Sequence, residues 1–226
     1  MSARALQAAG ALLLVAVAIW AGIRIADHHA SRLTGVDLKP DFRVGAADGQ
    51  SPAMPLPKVP DRLPEFSLAD RSGKPTSIAT WHDKSLIINF WATWCTPCRH
   101  EIPLLESLSS DWSRRDVEVV GIAVDHREQV LTYAEEMKIG YPLLIGEQDA
   151  LDVATALGFE SPVFPFTVFT DRRGEVVTLF VGELHRPQAD LILSVVQNLN
   201  QNRIRLVDAR RTIAGGLHAL GDSPAS

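Results

Sequence analysis

The sequence predicts an α/β domain, a mixed β-sheet covered by helices, and three observations carry that expectation. Leu86–Ala92 (LIINFWA) and Val117–Val124 (VEVVGIAV) are nearly unbroken apolar runs of strand length, as strands buried on both faces require. Each run is followed by apolar residues at helical spacing: Ile102, Leu105, Leu108 and Trp112 after the first, then Val130, Ala134 and Met137 within 128–138. Near the C-terminal side, Phe166–Thr170 and Val176–Val181 flank Asp171-Arg172-Arg173-Gly174, the composition of a hairpin turn. A closing helix over 188–199 places Leu191, Ile192, Val195, Val196 and Leu199 on one face. Strand–helix–strand followed by a hairpin and a helix gives a sheet with helical layers.

Between these elements, 142–145 reads as a short strand and 150–157 as a short helix. The predicted globular domain spans 61–201. Ahead of it, Ala5–Ile23 (ALQAAGALLLVAVAIWAGI) has Gln7 as its only strongly polar residue. As a helix these nineteen residues reach about 28 Å, close to the hydrocarbon thickness of a bilayer. Residues 1–31 are therefore expected to be a membrane anchor. Ala16-Val17-Ala18 offers a signal-peptide cleavage site, but the apolar run continues past it through Ile19, Trp20 and Ile23. Arg4 precedes the span while Arg24, Arg32, Lys39 and Arg43 follow it, so the flanking charges leave its orientation open. Residues 32–60 are rich in proline, which fixes φ and lacks an N–H, and read as an extended tether. Residues 202–226, with Gly215-Gly216 and a Gly-Asp-Ser-Pro-Ala-Ser end, read as a mobile tail.

A hydrophobic content of 46% with 22% charged residues is globular, and a net charge of −5 argues against a nucleic-acid surface. The one local basic cluster, Arg203, Arg205, Arg210 and Arg211, reads as solvated. Only two cysteines occur, so the chain is neither a disulfide scaffold nor a four-thiolate zinc protein. Both lie in one motif, Cys95-Thr96-Pro97-Cys98, at the junction of a buried strand and a helix.

That junction suits thiol chemistry. A thiol in the first helical turn meets unpaired backbone N–H groups and the positive end of the dipole, and both favour the thiolate. Cys95 is assigned as the nucleophile. Cys98, one turn on, is assigned as the resolving thiol that attacks the mixed disulfide. Pro97 is tolerated because the first turn has no intrahelical partner for its missing N–H. A zinc half-site would need two further ligands, and no paired His or Cys motif supplies them, so no metal is expected. The redox-active Cys95–Cys98 disulfide takes the place of a cofactor. Glu101, three residues after Cys98, shares its side of the helix; spacing alone makes it an ordinary solvated glutamate. His100 reads as a surface residue, and Pro103 as a bend in the active-site helix.

The run Phe90-Trp91-Ala92-Thr93-Trp94-Cys95-Thr96-Pro97-Cys98-Arg99-His100-Glu101-Ile102-Pro103 resembles the active-site segment of the TlpA/ResA/CcmG-like branch of the thioredoxin superfamily. Two further stretches are similar to that branch: Glu65-Phe66-Ser67-Leu68 with Gly73-Lys74-Pro75, and Phe164-Pro165-Phe166-Thr167-Val168-Phe169-Thr170-Asp171. The resemblance covers roughly 61–200. It implies a thioredoxin-like mixed sheet flanked by helices, with an N-terminal β-hairpin extension and an extra central βα unit at 140–157. It also implies a cis peptide bond before Pro165, which base rates for X–Pro bonds do not. Phe164 would then stand beside the dithiol, and Trp94, Thr96, Pro97, Phe164 and Pro165 would form the client-binding surface. The resemblance further makes Glu101 a buried acid that exchanges the proton of Cys98. Asn89 stands where cytosolic thioredoxins carry a buried aspartate; an amide cannot accept a proton in that way, so the base must come from elsewhere.

The implied function is a thiol–disulfide oxidoreductase, a tethered reductant of client disulfides. The implied setting is a single-pass inner-membrane anchor with the catalytic domain in the periplasm. The implied partners are client thiols and disulfides, of apocytochrome c or copper-site proteins, and a transmembrane electron donor of the DsbD/CcdA type. Two alternatives stay open: a disulfide oxidant or isomerase of the same fold, and a copper-binding metallochaperone. Against the latter, related copper carriers place three residues between their cysteines, not two.

Overall fold

The computed structural model describes residues 59–159 and 161–221. The predicted anchor, all but the last two residues of the predicted tether, and residues 222–226 lie outside them.

Among the described residues, seven strands and five α-helices follow in the order β1 (Ser67–Asp70), β2 (Pro75–Ser77), β3 (Ser85–Trp91), α1 (Thr96–Trp112), β4 (Val117–Val124), α2 (Arg127–Glu136), β5 (Leu143–Gly146), α3 (Gln148–Ala156), β6 (Phe166–Thr170), β7 (Val176–Val181), α4 (Arg186–Asn200) and α5 (Leu206–Gly221). They form one sheet in the order β2-β1-β5-β4-β3-β6-β7. Strands β3, β4 and β5 are parallel, while β1, β2, β6 and β7 join antiparallel to their neighbours. This is the mixed sheet that the sequence predicts, with the β1–β2 hairpin and the β5–α3 unit where the resemblance places them.

Every residue of β3 is buried, which explains its unbroken apolar run. Alternate side chains serve opposite cores. Ile87 and Trp91 join Val119, Ala123 and Phe169 under α1, α2, α4 and α5. Leu86, Ile88 and Phe90 join Val120, Ile122 and Val168 under α3. Each fully buried large aliphatic side chain contributes about 1.5–3 kcal/mol, so a strand buried on both faces anchors the domain. The hairpin turn before β2 is organised by Asp70, whose carboxylate accepts from Ser72 N and Oγ, Lys74 N and Thr76 Oγ1. These bonds, the Ser72 hydroxyl first, hold its pKa down at about 2.

One expectation is overturned. Residues 206–221 of the predicted mobile tail form α5, which buries Ala209 and Ile213 against the core. Its Arg210 donates to the Val176 carbonyl at 2.7 Å and to Asp61 at 3.0 Å. One glycine of the pair that suggests flexibility has a packing cause: a Cβ on Gly216 would come within 2.6 Å of Leu191 Cδ2, so glycine lets α5 approach α4, whereas a Cβ on Gly215 would meet nothing within 4 Å. The arginine cluster is thus attached to an ordered helix, and the domain runs beyond residue 201.

Candidate active site

Strand β3 delivers the chain at the edge of the sheet's parallel centre, and the turn Ala92–Trp94 leads into α1. Cys95 is the N-cap of α1, with extended φ and ψ, and its sulfur accepts the Cys98 backbone N–H at 3.3 Å. The two cysteines are joined in a disulfide with Cα atoms 5.3 Å apart. Cys95 retains 5% exposure and Cys98 none. Pro97 falls in the first turn, where its missing N–H costs nothing. Pro103 lies within α1 and leaves the Arg99 carbonyl without its helical partner.

The rim of the dithiol is aromatic. Trp94 projects into solvent at 67% exposure and meets the Phe164 ring edge-on at 6.1 Å. The Phe164–Pro165 bond is cis. Thr96 is exposed, Pro97 and Phe164 half-buried, and Pro165 buried. Of the residues that the family resemblance assigns to a client surface, Thr96 and Pro97 lie between the two cysteines, Trp94 precedes them, and Phe164 meets Trp94. Trp91, by contrast, is fully buried in the core. Beside Trp94 and Phe164 opens a groove of about 420 Å³, bounded across from them by His126, Glu147 and Leu151.

Beneath the disulfide, Glu101 is 1% exposed, a burial that its spacing does not disclose. Its carboxylate accepts the Leu184 backbone N–H and, at 3.0 Å, the Asn89 amide nitrogen, which also donates to Thr167 Oγ1 at 3.0 Å. Burial raises its pKa to about 7; the bonds from Leu184 and Asn89 oppose the shift, and the Glu183 carboxylate adds to it. His100 is exposed and approaches Glu183 at 3.4 Å.

Three participants go unmarked in the sequence. Asp125, at the carboxyl end of β4, accepts from the Thr93 backbone and hydroxyl and from His126 N at 2.8 Å, clamping the turn before Cys95. A polar residue closing a buried parallel strand is a signal for it, because sites in α/β sheets gather at those strand ends. Thr167 and the Leu184 amide have no such signal; only the fold brings them to Glu101.

A disulfide at a helix N-terminus, with Cys95 slightly exposed and Cys98 fully buried, placed on this sheet, defines a thiol–disulfide oxidoreductase of thioredoxin-like fold. The comparisons with known proteins agree. The chain belongs to the AhpC/TSA family, whose sequence pattern matches residues 59–179. Within it, the similarity is to the ResA-like branch: the thiol-disulfide oxidoreductase ResA of Geobacillus thermodenitrificans is 29% identical over 127 residues, covering 56% of this chain and 71% of that one. A thioredoxin-family thiol:disulfide interchange protein of Chlorobium tepidum is 28% identical at a TM-score of 0.50, covering 70% and 97%. A secreted thiol-disulfide isomerase of Corynebacterium glutamicum shares the fold at a TM-score of 0.57 and 22% identity, covering 67% and 96%. The general partner is accordingly a client thiol or disulfide. Among the described residues no helix is long and apolar enough to cross a membrane, and residues 5–23 are not among them.

Proposed function

We propose that this chain is a reductant of client disulfides, tethered to the inner membrane through residues 5–23, with its catalytic domain in the periplasm. The observation that carries the mechanism is the pairing of a fully buried Cys98 with a buried Glu101 one turn on, which supplies the proton acceptor that the resolving step needs. In the reduced protein the Cys95 thiolate attacks one sulfur of the client disulfide. A mixed disulfide forms and the client's other sulfur leaves as a thiolate that takes up a proton. Glu101 accepts the Cys98 proton, and the new thiolate attacks Cys95 Sγ. This closes the Cys95–Cys98 bond and releases the second client thiolate. Two electrons pass to the client, and the Glu101 proton returns to solvent.

Trp94, Thr96, Pro97, Phe164 and Pro165 would hold an extended client segment over Cys95. Apocytochrome c and copper-site cysteines are the client classes that the family likeness favours, with re-reduction by a transmembrane donor of the DsbD/CcdA type. Copper carriage by the same sulfurs is the less favoured use, because the buried Cys98 is a poor ligand for an exchangeable metal.

The test is the reduction potential of the full chain in defined dithiol buffers. A value at or below about −210 mV supports a reductant; one near −120 mV makes the protein a donor of disulfides and contradicts the direction. Trapping separates the sulfurs. Cys98→Ala accumulates mixed disulfides and Cys95→Ala does not, and the reverse pattern would exchange their roles.

A further inference from the structure

Glu101 is enclosed by donors. One oxygen accepts the Leu184 N–H and the other accepts Asn89 Nδ2 at 3.0 Å. A carboxylate suits that company because it only accepts. A protonated acid does not: its O–H needs an acceptor, and either oxygen that carries it points at a donor. The Leu184 amide belongs to the backbone and cannot invert. The Asn89 side chain can. Its two ends are nearly isosteric, one donating and one accepting, and its second partner is the Thr167 hydroxyl, which does both. On the far side, Asn89 Oδ1 is buried with no partner among the described residues, so nothing there holds the amide in one orientation.

We propose that Asn89 is a positioning residue whose amide reverses with the protonation of Glu101, presenting Nδ2 to the carboxylate and Oδ1 to the acid. This rests on Glu101 being the group that takes the Cys98 proton. After a half-turn, Oδ1 accepts from both Glu101 and Thr167, and Nδ2 takes the partnerless place. The unpaired group changes from the Oδ1 acceptor to the two N–H donors of Nδ2, and the reversal is driven by the O–H of the acid, which gains an acceptor. Both protonation states of Glu101 are then held at one position, a helical turn from Cys98.

The charged and titratable groups facing Glu101 are few. Glu183, on the link from β7 to α4, disfavours the carboxylate. It is itself approached by His100 at 3.4 Å and His185 at 3.9 Å. Tyr141, ahead of β5, is buried and pushed far above the usual phenol range, so it stays neutral. Cys98 faces it from its own helix. Of these side chains and Asn89, only Asn89 is hydrogen-bonded to the Glu101 carboxylate among the described residues.

The test follows the Glu101 carboxyl carbon and the Asn89 side-chain amide by NMR in the reduced full chain, over about pH 5 to 9. Both signals are expected to move with one midpoint. Asn89→Leu loses the donor to the carboxylate and the acceptor for the acid alike, so the Glu101 midpoint is expected to move by much less than the rise of about one pH unit that losing a fixed donor would give. An Asn89 amide that stays fixed through the Glu101 midpoint would overturn the proposal, as would a rise of about one pH unit or more in the Asn89→Leu midpoint. Should that variant fail to fold, the wild-type amide titration decides alone. The midpoint is read without turnover. If Glu101→Gln leaves the pH–rate profile unchanged while the two signals still move together, the proton-acceptor reading fails and the coupling stands.

Discussion

Two carboxylates in this domain are equally buried and differently kept. Glu101 and Asp171 are each 1% exposed, the first beneath the dithiol and the second at the β6–β7 turn, toward the opposite end of the sheet. Asp171 accepts from the backbone of Arg173 and Glu175, each at 2.9 Å, and from Arg173 Nε at 3.0 Å, with which it forms an ion pair. Glu101 receives two donors and no cation, and its charged neighbour is another carboxylate. Burial is common to both. What differs is the company, and it leaves Glu101 free to hold or release a proton near neutral pH while Asp171 fastens a turn.

Three substitutions test the difference between the two carboxylates, and the pH dependence of stability should show it most strongly. Folding raises the Glu101 pKa from 4.5 to about 7, so between those values the folded chain binds more protons than the unfolded one. Stability therefore falls as pH rises through that window and levels off above it, by roughly 3 kcal/mol for this group. Urea unfolding of the oxidised protein, in which the cysteines do not titrate, reads this directly. Glu101→Gln flattens the slope, and an identical slope in the variant would remove the distinction drawn here.

Next comes Asp171→Ala, which strips partners from two backbone N–H groups and one guanidinium. It is expected to cost about 2–3 kcal/mol in the same unfolding measurement and to leave the pH–rate profile of disulfide exchange unmoved. A shifted profile would mean that the far carboxylate also reaches the dithiol. The smallest effect is that of Asp125→Ala, near 1 kcal/mol, because Asp125 retains some exposure and its lost bonds are partly replaced by water. Its distinguishing readout is alkylation of reduced Cys95, which should change in rate once Thr93 is released, whereas Asp171→Ala should leave that rate alone.

Much of this was legible in the residues. The runs at Leu86–Ala92 and Val117–Val124 marked the sheet's centre, because strands covered on both faces need unbroken apolar sequence. The Cys95–Cys98 motif marked the chemistry through its position at a helix start. Spacing did not reveal the burial of Glu101, since one helix face can meet solvent or core and only the segment 183–185 decides which. Thr167 and Leu184 are distant in sequence and arrive only with the pairing of β3 with β6 and the return into α4. Helix α5 was misread for a related reason. A glycine has the same appearance in a loose tail as in a tight helix crossing, and the approach of Leu191 to Gly216 tells them apart.

The central claim is that Glu101 takes the Cys98 proton during exchange. Its direct test is the pH–rate profile for reduction of a protein disulfide by the reduced full chain, wild type against Glu101→Gln. The wild type should show a titration near pH 7 that is absent from the slower variant. An inflection at the same pH, with the same amplitude in both proteins, would contradict it.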